Sequence, residues 1–104
     1  MPSKGYLIAQ IDVSDPEAYK AFQAEFSGIL RKYGGQFLVR GGRSELVEGN
    51  GRSRTVVIEF KDYETARQCY HSPEYSNTKL LRHRSSAGDV MIVEGYDGPQ
   101  PSDQ

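Results

Sequence analysis

An α+β domain in the order β-α-β-β-α-β is expected from the amino-acid sequence on three grounds. A period-two run opens the chain, with Leu7, Ala9, Ile11 and Val13 on one face and Tyr6, Ile8, Gln10 and Asp12 on the other; this is the alternation of a strand. Tyr19, Phe22, Phe26, Ile29, Leu30 and Tyr33 then recur at spacings of three and four, as on a helix with one buried face. Finally, Ile11-Asp12-Val13-Ser14-Asp15 is echoed by Ile58-Glu59-Phe60-Lys61-Asp62. Each half therefore reads as one strand–helix–strand unit.

The elements follow from local chemistry. Ser14-Asp15-Pro16-Glu17 starts the first helix, with Asp15 as N-cap, Pro16 at the first helical position and Glu17 near the positive end of the dipole. Gly34-Gly35 stops it, because paired glycines supply the left-handed turn that other residues resist. A second strand runs through Phe37 to Arg40, bends at Gly41-Gly42 and continues to about Glu48. Gly49-Asn50-Gly51 reads as a hairpin turn before a third strand, Thr55 to Phe60. Asp62 caps a second helix carrying Tyr63, Ala66, Cys69 and Tyr70. Ser72-Pro73-Glu74 is a fresh cap, so a bent or restarted helix continues to about Arg84. Gly88 ends a loop, and Val90 to Val93 is the last strand. This is the ferredoxin-like order, an antiparallel four-stranded sheet with helices on one face. The first and third strands are expected as parallel central neighbours, with Asp12 level with Glu59. Residues 1–96 form the single domain. The polar, proline-rich tail 97–104 is expected to be mobile.

Composition narrows the classes. A chain of 104 residues is one domain. Its net charge of −1 argues against a nucleic-acid footprint, which shows as a basic excess. One cysteine, Cys69, allows no internal disulfide and fits a reducing, cytoplasmic setting. The apolar run Tyr6-Leu7-Ile8-Ala9 is too short for a signal peptide or a membrane span. Two helices cover only one side of the sheet, leaving Tyr6, Ile8, Leu38, Val57 and one set from Val90 to Val93 on the other. Exposing such side chains costs roughly 1.5–3 kcal/mol each. A homodimer is therefore expected, its two sheets closing into a dimeric α/β barrel.

Five segments carry a family resemblance: Gly5-Tyr6-Leu7-Ile8, Asp15-Pro16-Glu17-Ala18-Tyr19, Tyr33-Gly34-Gly35-Gln36-Phe37-Leu38-Val39-Arg40-Gly41-Gly42, Val57-Ile58-Glu59-Phe60 and Tyr70-His71-Ser72-Pro73-Glu74-Tyr75. Together they resemble the bacterial family called domain of unknown function 1330, over about residues 3–96. That family looks like a branch of the dimeric α+β barrel superfamily, which includes cofactor-independent monooxygenases, lactone isomerases and haem-degrading enzymes. The resemblance implies the fold and the dimer; the family itself carries no assigned reaction.

Arg40, Glu59 and Asp12 are the candidate catalytic residues. Arg40 would hold an anionic or enolate oxygen while a carboxylate handles a proton; the plainer reading is an ion pair across the strands. If Phe37 and Val39 face the helices, Arg40 lies diagonal to Glu59 on the opposite face, and a bulge before residue 40 would reverse this. Tyr6 and Gln10 join them as ligand-binding candidates, and Tyr70 and His71 form a second, weaker pair. His83 and His71 also fit plain helix ends. Cys69 on an apolar stripe reads as a small buried hydrophobe. Two histidines and one cysteine at these spacings make no structural zinc site, and the glycine pairs match no phosphate loop. No cofactor is expected. RNA binding is rejected because Val56, Val57, Ile58 and Glu59 offer no stacking ring. Haem degradation is disfavoured by the absence of tryptophan. Two classes remain: a protein binding a small anionic or enolisable metabolite, monooxygenase- or isomerase-like, or a non-catalytic ligand-binding or structural dimer.

Overall fold

A computed structural model describes residues 3–103 of the chain. Met1, Pro2 and Gln104, at the ends of the expected domain and tail, lie outside the described residues. The order is β1 (Gly5–Val13), α1 (Pro16–Tyr33), β2 (Gln36–Arg40), β3 (Arg54–Phe60), α2 (Tyr63–Tyr70), α3 (Pro73–Ser85) and β4 (Ser86–Glu94), with a 3-10 turn at Pro101–Asp103. The caps do what their chemistry suggests. Asp15 accepts from the Ala18 amide at 3.2 Å, and Asp62 accepts from the Thr65 amide at 2.7 Å and its hydroxyl at 2.6 Å. Ser72 restarts the chain as a separate helix, accepting from the Tyr75 amide at 3.3 Å.

The sheet order is β2-β3-β1-β4, and every neighbouring pair is antiparallel. The expectation that β1 and β3 run parallel is corrected. The α1 crossover returns the chain so that β2 runs with β1, and β3 slots between them in the opposite sense. Tyr6 therefore faces Glu59 across the ladder, while Asp12 stands six residues further along, roughly 20 Å away at the rise of a strand. The sheet ends on β2 and β4, which do not pair with each other. It is open, so the expected dimeric α/β barrel is also corrected: the four strands form a sheet without closure.

Two strand boundaries differ from expectation. β2 stops at Arg40 instead of running to about Glu48. Gly41 adopts a φ of 68°, a left-handed turn that few other residues take cheaply, and its amide makes a last rung to Thr55 O at 2.9 Å. Beyond it, Leu46 and Val47 are 62% and 79% exposed, leaving no apolar face to hold a strand. β4 begins earlier than expected, at Ser86. Gly88, expected to end a loop, instead pairs with Ile11 where a Cβ would approach Gln10 O to 2.3 Å. This glycine lets two backbones meet.

The core lies between the sheet and its helices. Leu7, Ala9, Ile11, Val56, Ile58 and Phe60 project from the sheet onto Tyr19, Phe22, Phe26 and Leu30 of α1, with Ala66, Cys69 and Tyr75 beside them. The opposite face carries Tyr6 and Ile8 with more exposed Val39, Met91 and Val93.

Candidate functional site

The pairing of β2 with β3 decides where Arg40 goes. Gln36 faces Glu59 and Phe37 faces Ile58, but the next pairs are Val39 with Val57 and Arg40 with Val56. Leu38 is an extra residue, a β-bulge that shifts Val39 and Arg40 by one position. Arg40 thus shares the helix-facing side with Val56 and Ile58, its guanidinium 4.2 Å from the centre of the Phe37 ring. Glu59 lies on the other face, where it accepts from the Tyr6 hydroxyl at 3.3 Å. The expected Arg40–Glu59 diagonal is corrected: the two side chains leave the sheet in opposite directions.

The other candidates are likewise dispersed. Asp12 accepts from the Ser53 amide at 2.9 Å and from Arg52 at 3.2 Å. The Ser53 hydrogen bonds, with Arg52 beside them, hold its carboxyl below the usual carboxylate range. It fastens the end of the 41–53 loop to β1. Gln10 is exposed opposite Asp89. Burial and the neighbouring Glu59 carboxylate push the Tyr6 phenol up. Tyr70 carries Lys79 over its ring at 4.4 Å and touches His71 edge-on at 5.3 Å. Only Tyr6 and Glu59 are in contact among the named catalytic and binding candidates of the open face.

The concavity lies on the helix side. A recess of about 480 Å³, mouth included, runs between the sheet and helices α1 and α3. Its floor is Leu7, Ala9, Ile11, Val56, Ile58 and Val90, and its far wall is Tyr19, Phe22, Phe26 and Tyr75. Three arginines, Arg40, Arg54 and Arg82, enter this apolar lining with Gln23 as the one side-chain amide. Among the described residues, no carboxylate, imidazole or thiol lines it. Arg82 is only 6% exposed and donates through Nε to the Tyr75 hydroxyl at 3.4 Å. Arg54 packs over the Tyr19 ring at 5.4 Å, and its Nε is buried with no acceptor. Among the described residues, none of the three makes an ion pair; the arginines that do are Arg52 and Arg67. Guanidinium groups retain their charge throughout the physiological range, so the recess is an apolar hollow with uncompensated positive charge.

Arg54 and Arg82 were not singled out from sequence. For Arg54 a signal exists: it stands two, four and six residues before Val56, Ile58 and Phe60, so alternation puts it on the core face. Arg82 is harder. Its buried stripe on α3 is Tyr75, Thr78, Arg82 and Ser85, which is too polar to show as a hydrophobic period. Among the described residues, no group of three or more His, Cys, Asp or Glu could hold a metal ion. No helix among them is long and apolar enough to cross a membrane.

The fold is shared with solved structures. A protein of unknown function from Rhodopseudomonas palustris superposes with a TM-score of 0.72 at 10% identity, over 94% of this chain and 86% of that one. SnoaB, a cofactor-independent oxygenase from Streptomyces nogalater, gives 0.61 at 12% identity, over 95% and 98%. A dimeric protein of unknown function with a ferredoxin-like fold, from Bacteroides fragilis, gives 0.51 at 11% identity, over 88% and 96%. At such identities the likeness concerns the fold alone. No curated protein matches the chain. The family model for the domain of unknown function DUF1330 matches residues 4–96, nearly the whole of the described chain, and the protein belongs to that family.

Proposed function

We propose that the protein binds a small organic anion in the recess between the sheet and the helices. One observation carries this reading: three arginines without a carboxylate partner line an otherwise apolar hollow. Small-ligand sites have this makeup, mostly apolar walls with a few fixed polar groups. A purely structural role for Arg82, which is 6% exposed, would normally bring an acid with it, because a buried charge left alone costs several kcal/mol. The catalytic pairing expected for Arg40 with Glu59 or Asp12 is not part of the proposal, since these carboxylates stand outside the recess.

Binding without turnover is the reading the lining favours, because it contains no residue suited to act as a general base at neutral pH. The likeness to SnoaB motivates a second reading, oxygenase-like chemistry on a substrate that arrives already ionised. Thermal-shift and NMR titration with a panel of small aromatic and aliphatic acids tests binding. The amides of Leu7, Ala9 and Val56 should move, and those of Gln10 and Met91 should not. Movement confined to the open face would refute the location. Oxygen uptake in the presence of a bound acid separates turnover from binding.

Self-association through the open face of the sheet is the second part of the proposal. Val39, Met91 and Val93 are 41%, 59% and 40% exposed there, beside Ile8 and Val57, and the similar fold from Bacteroides fragilis is dimeric. Sedimentation should give a dimer at micromolar concentration, and Met91→Lys should dissociate it. A wild-type monomer would refute this part and leave the recess untouched. The unpaired Cys69 fits a cytoplasmic location.

A further inference from the structure

Resting on the recess being a binding site, we infer that its ligand is an aryl or other flat-ring carboxylate whose head group is held by Arg54 and Arg82, with Arg40 at the mouth. The two arginines converge on one end of the sheet. Arg54 opens β3 opposite Ile11, and the last turn of α3, which carries Arg82, is tied to the start of α1 by Ser85 O, which accepts from the Ser14 and Asp15 amides at 2.8 and 3.0 Å. Among the described residues, Arg54 Nε is buried without an acceptor, and Arg82 Nε reaches the Tyr75 hydroxyl at a long 3.4 Å. Arg40 differs, being an exposed residue with its guanidinium over the Phe37 ring. Its charge already faces water.

The chemistry of the head group follows from the donors. Guanidinium forks match the two coplanar oxygens of a carboxylate. The same forks also take phosphate; a carboxylate is favoured here because it is planar and smaller, and the free space inside is about 30 Å³. The shape of the body follows from the walls. Tyr75 packs on Phe26 at 5.1 Å and on Phe22 at 6.5 Å between ring centres, forming an aromatic wall that faces the small and aliphatic floor of Ala9, Ile11 and Val56. Free space inside is only about 30 Å³, against the ~10–15 Å³ that one water needs. A flat ring that slides along the wall as the arginines turn toward its carboxylate suits this slot; a bulky body does not.

The test uses the whole chain and four probes at millimolar concentration: benzoate, benzamide, hexanoate and phenyl phosphate, read by NMR titration. Benzoate should bind, with benzamide at least about tenfold weaker, the loss expected from removing a charge-assisted hydrogen bond. Hexanoate and phenyl phosphate should also be weaker than benzoate. Arg54→Met and Arg82→Met should each weaken benzoate by about tenfold or more, and Arg40→Met by less than about threefold. Arg54→Lys keeps the charge without the fork and should also lose most of the affinity, so the assignment stays open to test if a methionine variant misfolds. Benzamide binding as tightly as benzoate would overturn the carboxylate and leave the recess as a site. A preference for phenyl phosphate or hexanoate would overturn the ligand class, and loss of binding in Arg40→Met alone would overturn the anchor. If none of the four probes moves the recess amides, the binding site itself falls.

Discussion

Arg54→Met separates an arginine kept for a ligand from one kept for the fold, because the two roles predict opposite signs. In the free protein, Arg54 Nε is a buried donor with no acceptor, and such a group costs about 1–3 kcal/mol. Its guanidinium recovers some of that on the Tyr19 ring 5.4 Å away, about 0.5–1 kcal/mol for a cation–π contact. Methionine has a similar unbranched stem and fills the space without a polar group. The balance is a gain of about 1 kcal/mol. The gain corresponds to a rise in Tm of about 4–8 °C for a domain of this size. Urea unfolding without ligand is the assay, and a raised midpoint at constant slope is the expected outcome.

A loss of 1 kcal/mol or more would refute the reasoning and make Arg54 a structural tie. Arg82→Met is the internal control, with the opposite expectation. Its Nε satisfies the buried Tyr75 hydroxyl, so the variant strands a polar group and should lose about 1–3 kcal/mol. The two substitutions remove the same functional group from the same recess, and the hydrogen-bond inventory gives them opposite signs.

Deleting Leu38 should leave the fold and the recess intact, because the pairs on either side of it already form a regular ladder; loss of Arg40 from the helix side, seen by NMR contacts to Phe37, would contradict the bulge. Ser72→Ala should lower stability by about 1 kcal/mol, since this buried N-cap holds the Tyr75 amide; an unchanged melt would show α3 held by packing alone. The Asp12 carboxyl should titrate below its ordinary 3.8. A lowered folded value means that its stabilisation is complete above the unfolded value and is lost as pH falls through the folded one. The stability difference between wild type and Asp12→Asn should therefore shrink in acid below about pH 4, and a pH-independent difference would contradict the Ser53 attachment. Burial pushes the Cys69 thiol up to about 12, so thiol reagents should label it only as fast as the domain opens; fast labelling of the native protein would contradict its place in the core.

The elements were readable because the signals that set them are local. Asp15-Pro16, Gly34-Gly35, Asp62 and Ser72-Pro73 act on the nearest turn of backbone, and each starts or stops a helix where its chemistry requires. The faces of β1 were equally plain, since nine residues of strict alternation leave one assignment. The site was not readable in the same way. Phe37, Leu38, Val39 and Arg40 all suit a strand, and nothing in those four side chains says which of them is extra. That is settled by the partner strand: Glu59 and Ile58 must meet Gln36 and Phe37 while Val57 and Val56 meet Val39 and Arg40. One residue of slip carries a guanidinium through the sheet. It removes Arg40 from Glu59 on the open face and adds it to Arg54 and Arg82 in the recess. The same slip changes the chemistry available, from a cation beside a carboxylate, which can neutralise itself, to a third cation at the mouth of a recess that already holds Arg54 and Arg82.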